Sequence, residues 1–155
     1  MQAHFLVDTM CGRLARWLRI LGHDADWLAA PDRKRLVARC LKESRILLTR
    51  DRRFSRTRGL HSILLRSDRT EEQVGQVLRE LGLQVDSERL FSRCTFCNRP
   101  LEEAEKSTVR TEVPAYVFDT QSHFFRCPGC RRVFWGGTQP DLFKRHFSER
   151  VAPFQ

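Results

Sequence analysis

The sequence predicts an α/β protein, with a helix-covered parallel sheet in the first half and a small β-rich second half. Three observations predict it. Up to about residue 90, short apolar runs alternate with amphipathic stretches of helical period. Three of those runs end in a polar turn that carries an aspartate. Beyond residue 90 the rhythm breaks, aromatic residues crowd together, and two CxxC pairs appear.

The first run is His4-Phe-Leu-Val-Asp8, a short buried strand ending in an acid. A helix over residues 12–22 follows. Leu14, Trp17, Leu18 and Leu21 share one face of it at i, i+3, i+4 and i+7, while Arg13, Arg16 and Arg19 lie on another. Gly22 is a natural helix stop. Residues 24–28 form a second short strand. Pro31 suits the first turn of the next helix, with Leu36, Val37, Cys40 and Leu41 as its inner face. Arg45-Ile-Leu-Leu-Thr49 is a buried strand that runs directly into Arg50-Asp51. Residues 60–65 are another, followed by Arg66-Ser-Asp68. Thr70 and Gln73 have capping-box spacing and open a helix with Val74, Val77, Leu78 and Leu81 inward, closed by Gly82. These elements place a domain boundary near residue 90: residues 1–90 form the α/β domain and 91–155 the second. The segment 141–150 is a short C-terminal helix with Leu142, Phe143 and Phe147 inward.

Cys94-Thr-Phe-Cys97 and Cys127-Pro-Gly-Cys130 offer four thiolates from two tight turns. Two such turns complete a tetrahedral shell, so Cys94, Cys97, Cys127 and Cys130 are read as ligands of one structural Zn²⁺. Pro128 fixes one turn angle, and Gly129 is free to adopt positive φ. Residues 98–126 separate the pairs, and a β-hairpin over 107–126 would fill the gap, as in a zinc ribbon. A domain of about 60 residues needs such a staple. His123 and His146 are read as structural histidines. Cys11 and Cys40 are read as small buried hydrophobes.

Asp8, Asp51 and Asp68 each follow an apolar strand. In a parallel α/β sheet the carboxyl ends of strands lie along one edge, where open sheets bind ligands. Asp32, or Asp26, supplies a fourth acid nearby. Converging carboxylates repel unless a cation sits among them, and oxygen ligands favour Mg²⁺ or Mn²⁺. An aspartate at such a position can equally cap the following helix. Arginines are dense around these acids, at positions 45, 50, 52, 53, 56 and 58. Arg13, Arg16, Arg50, Arg52 and Arg53 are the expected contacts to a phosphate backbone.

The chain carries 28 Lys and Arg against 19 Asp and Glu, a net charge of +9. A balance of this kind favours nucleic acid. The longest apolar runs, such as Ile46-Leu47-Leu48, fall far short of the roughly 20 residues a membrane span needs. The start, Met1-Gln-Ala-His-Phe5, has neither the basic nor the apolar region of a signal peptide. CxxC pairs in such a chain are metal ligands before they are disulfides. The expected location is cytoplasmic.

Several linked segments resemble the mutator-seven C-terminal RNase family. They are Phe5-Leu-Val-Asp8, Gly12-Arg-Leu-Ala-Arg-Trp-Leu-Arg-Ile-Leu-Gly22, Ile46-Leu-Leu-Thr-Arg-Asp51, Phe91-Ser-Arg-Cys-Thr-Phe-Cys-Asn98 and Cys127-Pro-Gly-Cys130 leading to Trp135-Gly-Gly-Thr138. The resemblance implies a PIN-like three-layer nuclease domain joined to a zinc ribbon. It implies a metal-dependent ribonuclease with Asp8 and Asp51 as acidic ligands, Asp32 and Asp68 as further carry-overs, and RNA as partner. Where the family usually has Gly-Thr-His, this chain has Gly-Thr-Gln139. Two other readings keep the basic surface and the zinc ribbon: a non-catalytic RNA- or ribonucleoprotein-binding adaptor, and a DNA-binding zinc protein.

Overall fold

A computed structural model describes residues 2–136 and 139–151, excepting the side chains at 139, 140 and 142. Strands β1 (His4–Val7), β2 (Asp24–Trp27), β3 (Ile46–Thr49) and β4 (Ser62–Leu64) form one parallel sheet in the order β2-β1-β3-β4. Helices α1 (Gly12–Ile20) and α3 (Thr70–Leu81) cover one face, and α2 (Arg33–Glu43) covers the other. The two-residue period of the strands sorts their side chains between these layers. Phe5, Val7, Leu48 and Ile63 pack with Leu14, Leu18, Val74 and Val77. Leu6 and Leu47 turn the other way, onto Leu36, Cys40 and Phe54. The fold is therefore the three-layer α/β arrangement expected from the sequence.

Local details differ from the sequence reading. Helix α2 is capped by Asp32, whose Oδ1 accepts from Arg35 N at 2.7 Å, so Pro31 lies before the cap. Leu41 points outward and is half exposed, because α2 packs on the sheet along Leu36, Val37 and Cys40. The spacing of Thr70 and Gln73 makes no capping box. Arg69 takes the cap position without a side-chain bond, and Gln73 instead donates to Ser67 O. Cys11 and Cys40 are buried as small hydrophobes.

The second sheet is antiparallel, with β5 (Glu102–Ala104), β6 (Phe124–Arg126) and β7 (Val133–Trp135) in that order. The hairpin expected over 107–126 is not formed. A 3₁₀ turn (Lys106–Val109) and helix α4 (Ala115–Thr120) occupy the gap. Val109 in that turn, Val113 in the bend after it and Val117 in α4 pack with Phe124 into a small core. Helix α5 (Gln139–Arg150) then returns to the first half. Phe143 and Phe147 lie 5.4 and 6.1 Å from Trp17, and Phe147 is fully buried in the larger core.

The first cysteine turn is keyed to the open edge of the parallel sheet. The Ala25 amide on edge strand β2 donates to Asn98 Oδ1 at 3.0 Å, and Asn98 Nδ2 donates to Asp24 Oδ1 at 2.7 Å. Arg19 donates from Nε to Ala25 O and from Nη1 to Thr95 O and Phe96 O. Edge-strand groups that would otherwise be open to stray pairing are thereby satisfied. Burial alone would raise the Asp24 carboxyl. Its bonds from Arg45, Asn98 and His4 outweigh that and hold it well below the usual carboxylate range. Gly22 has φ +84° and sits against Arg89, whose carbonyl oxygen would lie 2.5 Å from any Cβ there.

Next to this seam His23 is buried, with an Nδ1 that has no hydrogen-bond partner among the described residues. Burial, aided by Arg89 and Arg93, pushes its pKa down from 6.5 to about 4. Between those values the unfolded chain binds the proton and the native chain does not, so stability falls as pH falls. Acidification from pH 7 to 4 is expected to cost about 3 kcal/mol from this residue alone. Urea midpoints measured across that range for the parent and for His23→Leu test this. Parallel pH profiles for the two would contradict it.

Candidate functional site

The strand order reverses between β1 and β3: the chain steps from β1 outward to β2, then crosses back to β3. Such a switch point opens a crevice at the carboxyl ends of the two strands. Asp8 follows β1, and its backbone amide donates to Leu48 O at 2.9 Å, extending the ladder by one bond. Asp51 lies two residues past β3. Both line one cavity of about 500 Å³, together with Met10, Pro31, Arg33, Arg50 and Arg53.

Thr49 ties the two acids together. Its buried hydroxyl donates to Asp8 Oδ2 at 2.6 Å and accepts from the Asp51 amide at 3.0 Å. Asp8 Oδ1 accepts from the Thr9 amide at 2.7 Å. Asp51 accepts from the Arg53 amide and is gripped by the Arg53 guanidinium, with Nη2 at 2.7 Å from Oδ2. Those bonds hold the Asp51 carboxyl down at about 2. The Arg53 side chain is itself largely exposed, free to exchange this partner for another anion.

The other acids stand apart. Asp32 caps α2 and is not among the residues lining the cavity, although its neighbours Pro31 and Arg33 are. Asp68 lines an adjoining cavity of about 690 Å³ with Arg13, Trp17 and Glu71, and Met10 lines both. Asp26 pairs with Arg39. Among the described residues, no three of these acids come as close together as the four cysteines do.

Of the arginines read as phosphate contacts, Arg50 and Arg53 border the acidic cavity. Arg52 joins Arg33, Arg53 and Arg56 around a further hollow of about 600 Å³. Arg13 lies with Asp68, and Arg16 sits over the Phe96 ring at 5.7 Å. Arg33 and Thr49 escaped the sequence reading. A threonine ending an otherwise apolar strand, two residues before an acid, was the signal for the second. Arg33 follows a helix cap, a position at which an arginine ordinarily points to solvent.

The four cysteines form one compact group, with every Sγ within 4.8 Å of the others. Cys94 and Cys130 are 3.6 Å apart, and Cys97 and Cys127 are 3.1 Å apart. A Zn–S bond of about 2.3 Å gives a tetrahedral edge of about 3.8 Å, so the set fits Zn²⁺. The two turns share one geometry. In each, the first cysteine amide donates to a carbonyl five residues on, and the residue after the second cysteine donates back to the first cysteine's carbonyl. That residue has positive φ: Asn98 at 69° and Arg131 at 66°. Gly129 does not supply the positive φ expected of it. Its missing Cβ instead makes room for Arg99, whose Cδ would lie 2.7 Å away. Burial pushes Cys94 up to about 12. At Cys130 burial is outweighed by bonds from the Arg132 amide and side chain, and the thiol falls to about 6. His123 lies 4.0 Å from Glu103, His146 lies 3.8 Å from Glu71, and neither joins the cysteines.

The family model described as Mut7-C RNAse domain matches residues 3–147. No curated protein and no solved structure matches the chain. No helix among the described residues is long and apolar enough to cross a membrane. The side chain of Gln139, at the position of the family's histidine, lies outside the described residues.

Proposed function

The chain belongs to the Mut7-C RNAse domain family, and from that premise we propose that it is a metal-dependent ribonuclease cutting RNA in the crevice between β1 and β3. One observation carries the reading: Asp8 and Asp51, from neighbouring parallel strands, border a single cavity rimmed by Arg33, Arg50 and Arg53. Mg²⁺ or Mn²⁺ needs only one or two protein carboxylates, taking its other ligands from water and substrate phosphate. Bound there, it would supply hydroxide and stabilise the oxyanion leaving group. Thr49 holds Asp8 and the Asp51 backbone in place. The guanidinium of Arg53 covers Asp51 until a phosphate draws it away. Arg33, Arg52 and Arg56 carry the backbone onward along the adjoining hollow. Asp32 and Asp68 serve at the margin, Asp32 as a helix cap and Asp68 in the neighbouring cavity.

A second reading has its own support. Both Asp8 oxygens accept protein hydrogen bonds, and both Asp51 oxygens bond Arg53. A site satisfied in this way suits a non-catalytic RNA- or ribonucleoprotein-binding adaptor. A cytoplasmic setting goes with either reading.

The test is cleavage of end-labelled single-stranded RNA by the zinc-loaded chain. Products are expected with added Mg²⁺ or Mn²⁺ and none in EDTA-treated buffer. RNA affinity should fall steeply with salt in both cases. Binding without cleavage under every metal condition would leave the adaptor.

A further inference from the structure

Beside the first cysteine turn, a further cavity of about 360 Å³ lies where the small sheet, residues 87–95 and α5 meet. Its walls are aromatic. Phe125 and Phe134 are directly paired across β6 and β7 and turn away from the Phe124 core. Phe91 and Trp135 are the other aromatic residues of the lining, and Trp135 is 39% exposed. Phe96, itself half exposed, lies 6.5 Å from Phe134 and extends the aromatic row toward α1.

Cations flank that row. Arg132 stacks over Phe96 at 4.1 Å, Arg16 approaches the same ring, and Arg93 and Lys144 line the cavity. None of these four has a carboxylate partner among the described residues. Elsewhere Arg39, Arg45 and Arg126 are ion-paired. Glu88 is the one acid in the lining.

We infer that this cavity binds one unpaired nucleobase of single-stranded RNA, stacked on Trp135, with an adjoining phosphate on Lys144. A flat π face beside an anionic backbone matches both halves of the lining. An apolar peptide would match only the aromatic half and leave Lys144 without an anion. The inference rests on the RNA reading above and adds a second point of contact, on the ribbon instead of the acidic crevice. A base held in a duplex cannot enter, so the site selects single strands.

The experiment uses the zinc-loaded full chain and a short RNA carrying 2-aminopurine, read by fluorescence and by polarisation. Stacking is expected to quench the probe in the single strand and not in the annealed duplex. Trp135→Ala should weaken single-strand binding roughly tenfold with zinc retained, and Trp135→Phe should recover most of it. Lys144→Ala should lower the slope of log affinity against log salt by about one. Unquenched probe on a parent chain that binds RNA, or Trp135→Ala binding as tightly as the parent, overturns this site and leaves the ribonuclease reading standing. A parent chain with no RNA affinity overturns both.

Discussion

Replacement of Asp8 by asparagine is expected to reduce metal-dependent RNA cleavage by at least about a hundredfold, since loss of outer-shell partners alone costs 10–100-fold at metal sites. The side chain keeps its shape and its bond to the Thr9 amide, so the fold survives. What disappears is the charge, at the point where β1 ends beside β3. Asp51→Asn should act similarly, with one difference that can be read separately. It also releases Arg53 from its carboxylate, so RNA affinity should hold or rise while turnover falls. Asp32→Asn is the control, because asparagine caps a helix as well as aspartate does and α2 loses nothing. Cleavage rates and RNA dissociation constants for the three variants decide the matter. Full activity in Asp8→Asn would remove the catalytic reading.

Loss of zinc has the largest expected structural effect. Structural zinc sites contribute about 10–16 kcal/mol in small zinc-binding peptides, which matches or exceeds the whole stability of an ordinary domain, about 5–15 kcal/mol. The apolar core beneath the second sheet is built on Val109, Val113, Val117 and Phe124, too little to stand without the ion. Chelation or Cys127→Ser should therefore unfold the small sheet. The damage should also spread, since Asn98 and the Thr95 and Phe96 carbonyls reach the first half through Ala25, Asp24 and Arg19. Hydrogen exchange should show the Ala25 amide losing protection along with β5–β7. An apo chain that melts at the holo temperature would refute the zinc assignment.

The elements that could be read in the sequence are those governed by local periodicity. The two-residue alternation placed Asp8 and Asp51 at strand ends, and parallel pairing brought them to one crevice. The CxxC spacing located the metal group because both turns close within a few residues. What escaped is set by contacts between distant segments. Nothing near Thr49 says that its hydroxyl meets Asp8, forty-one residues earlier. Nothing near Asn98 says that it completes a β-strand edge seventy-three residues away. The helix over 115–120 lies outside the sequence reading, which filled the gap with a hairpin, because Val109, Val113 and Val117 come from a 3₁₀ turn, a bend and α4 and meet only in the folded core. The separation of Asp68 from Asp51 depends on where Met10 and the loop before α3 lie in space, which no single segment encodes.

The position of Phe147 bears on how the molecule is made. This ring is fully enclosed in the core that also holds Phe5 and Leu14, so β1 and α1 cannot finish packing until Phe147 has left the ribosome. During synthesis the hydrophobic flank around Trp17 stays open to water and to other nascent chains. Final packing of the first strand and helix is thus a late event in synthesis, in contrast to the usual sequence in which amino-terminal units settle first.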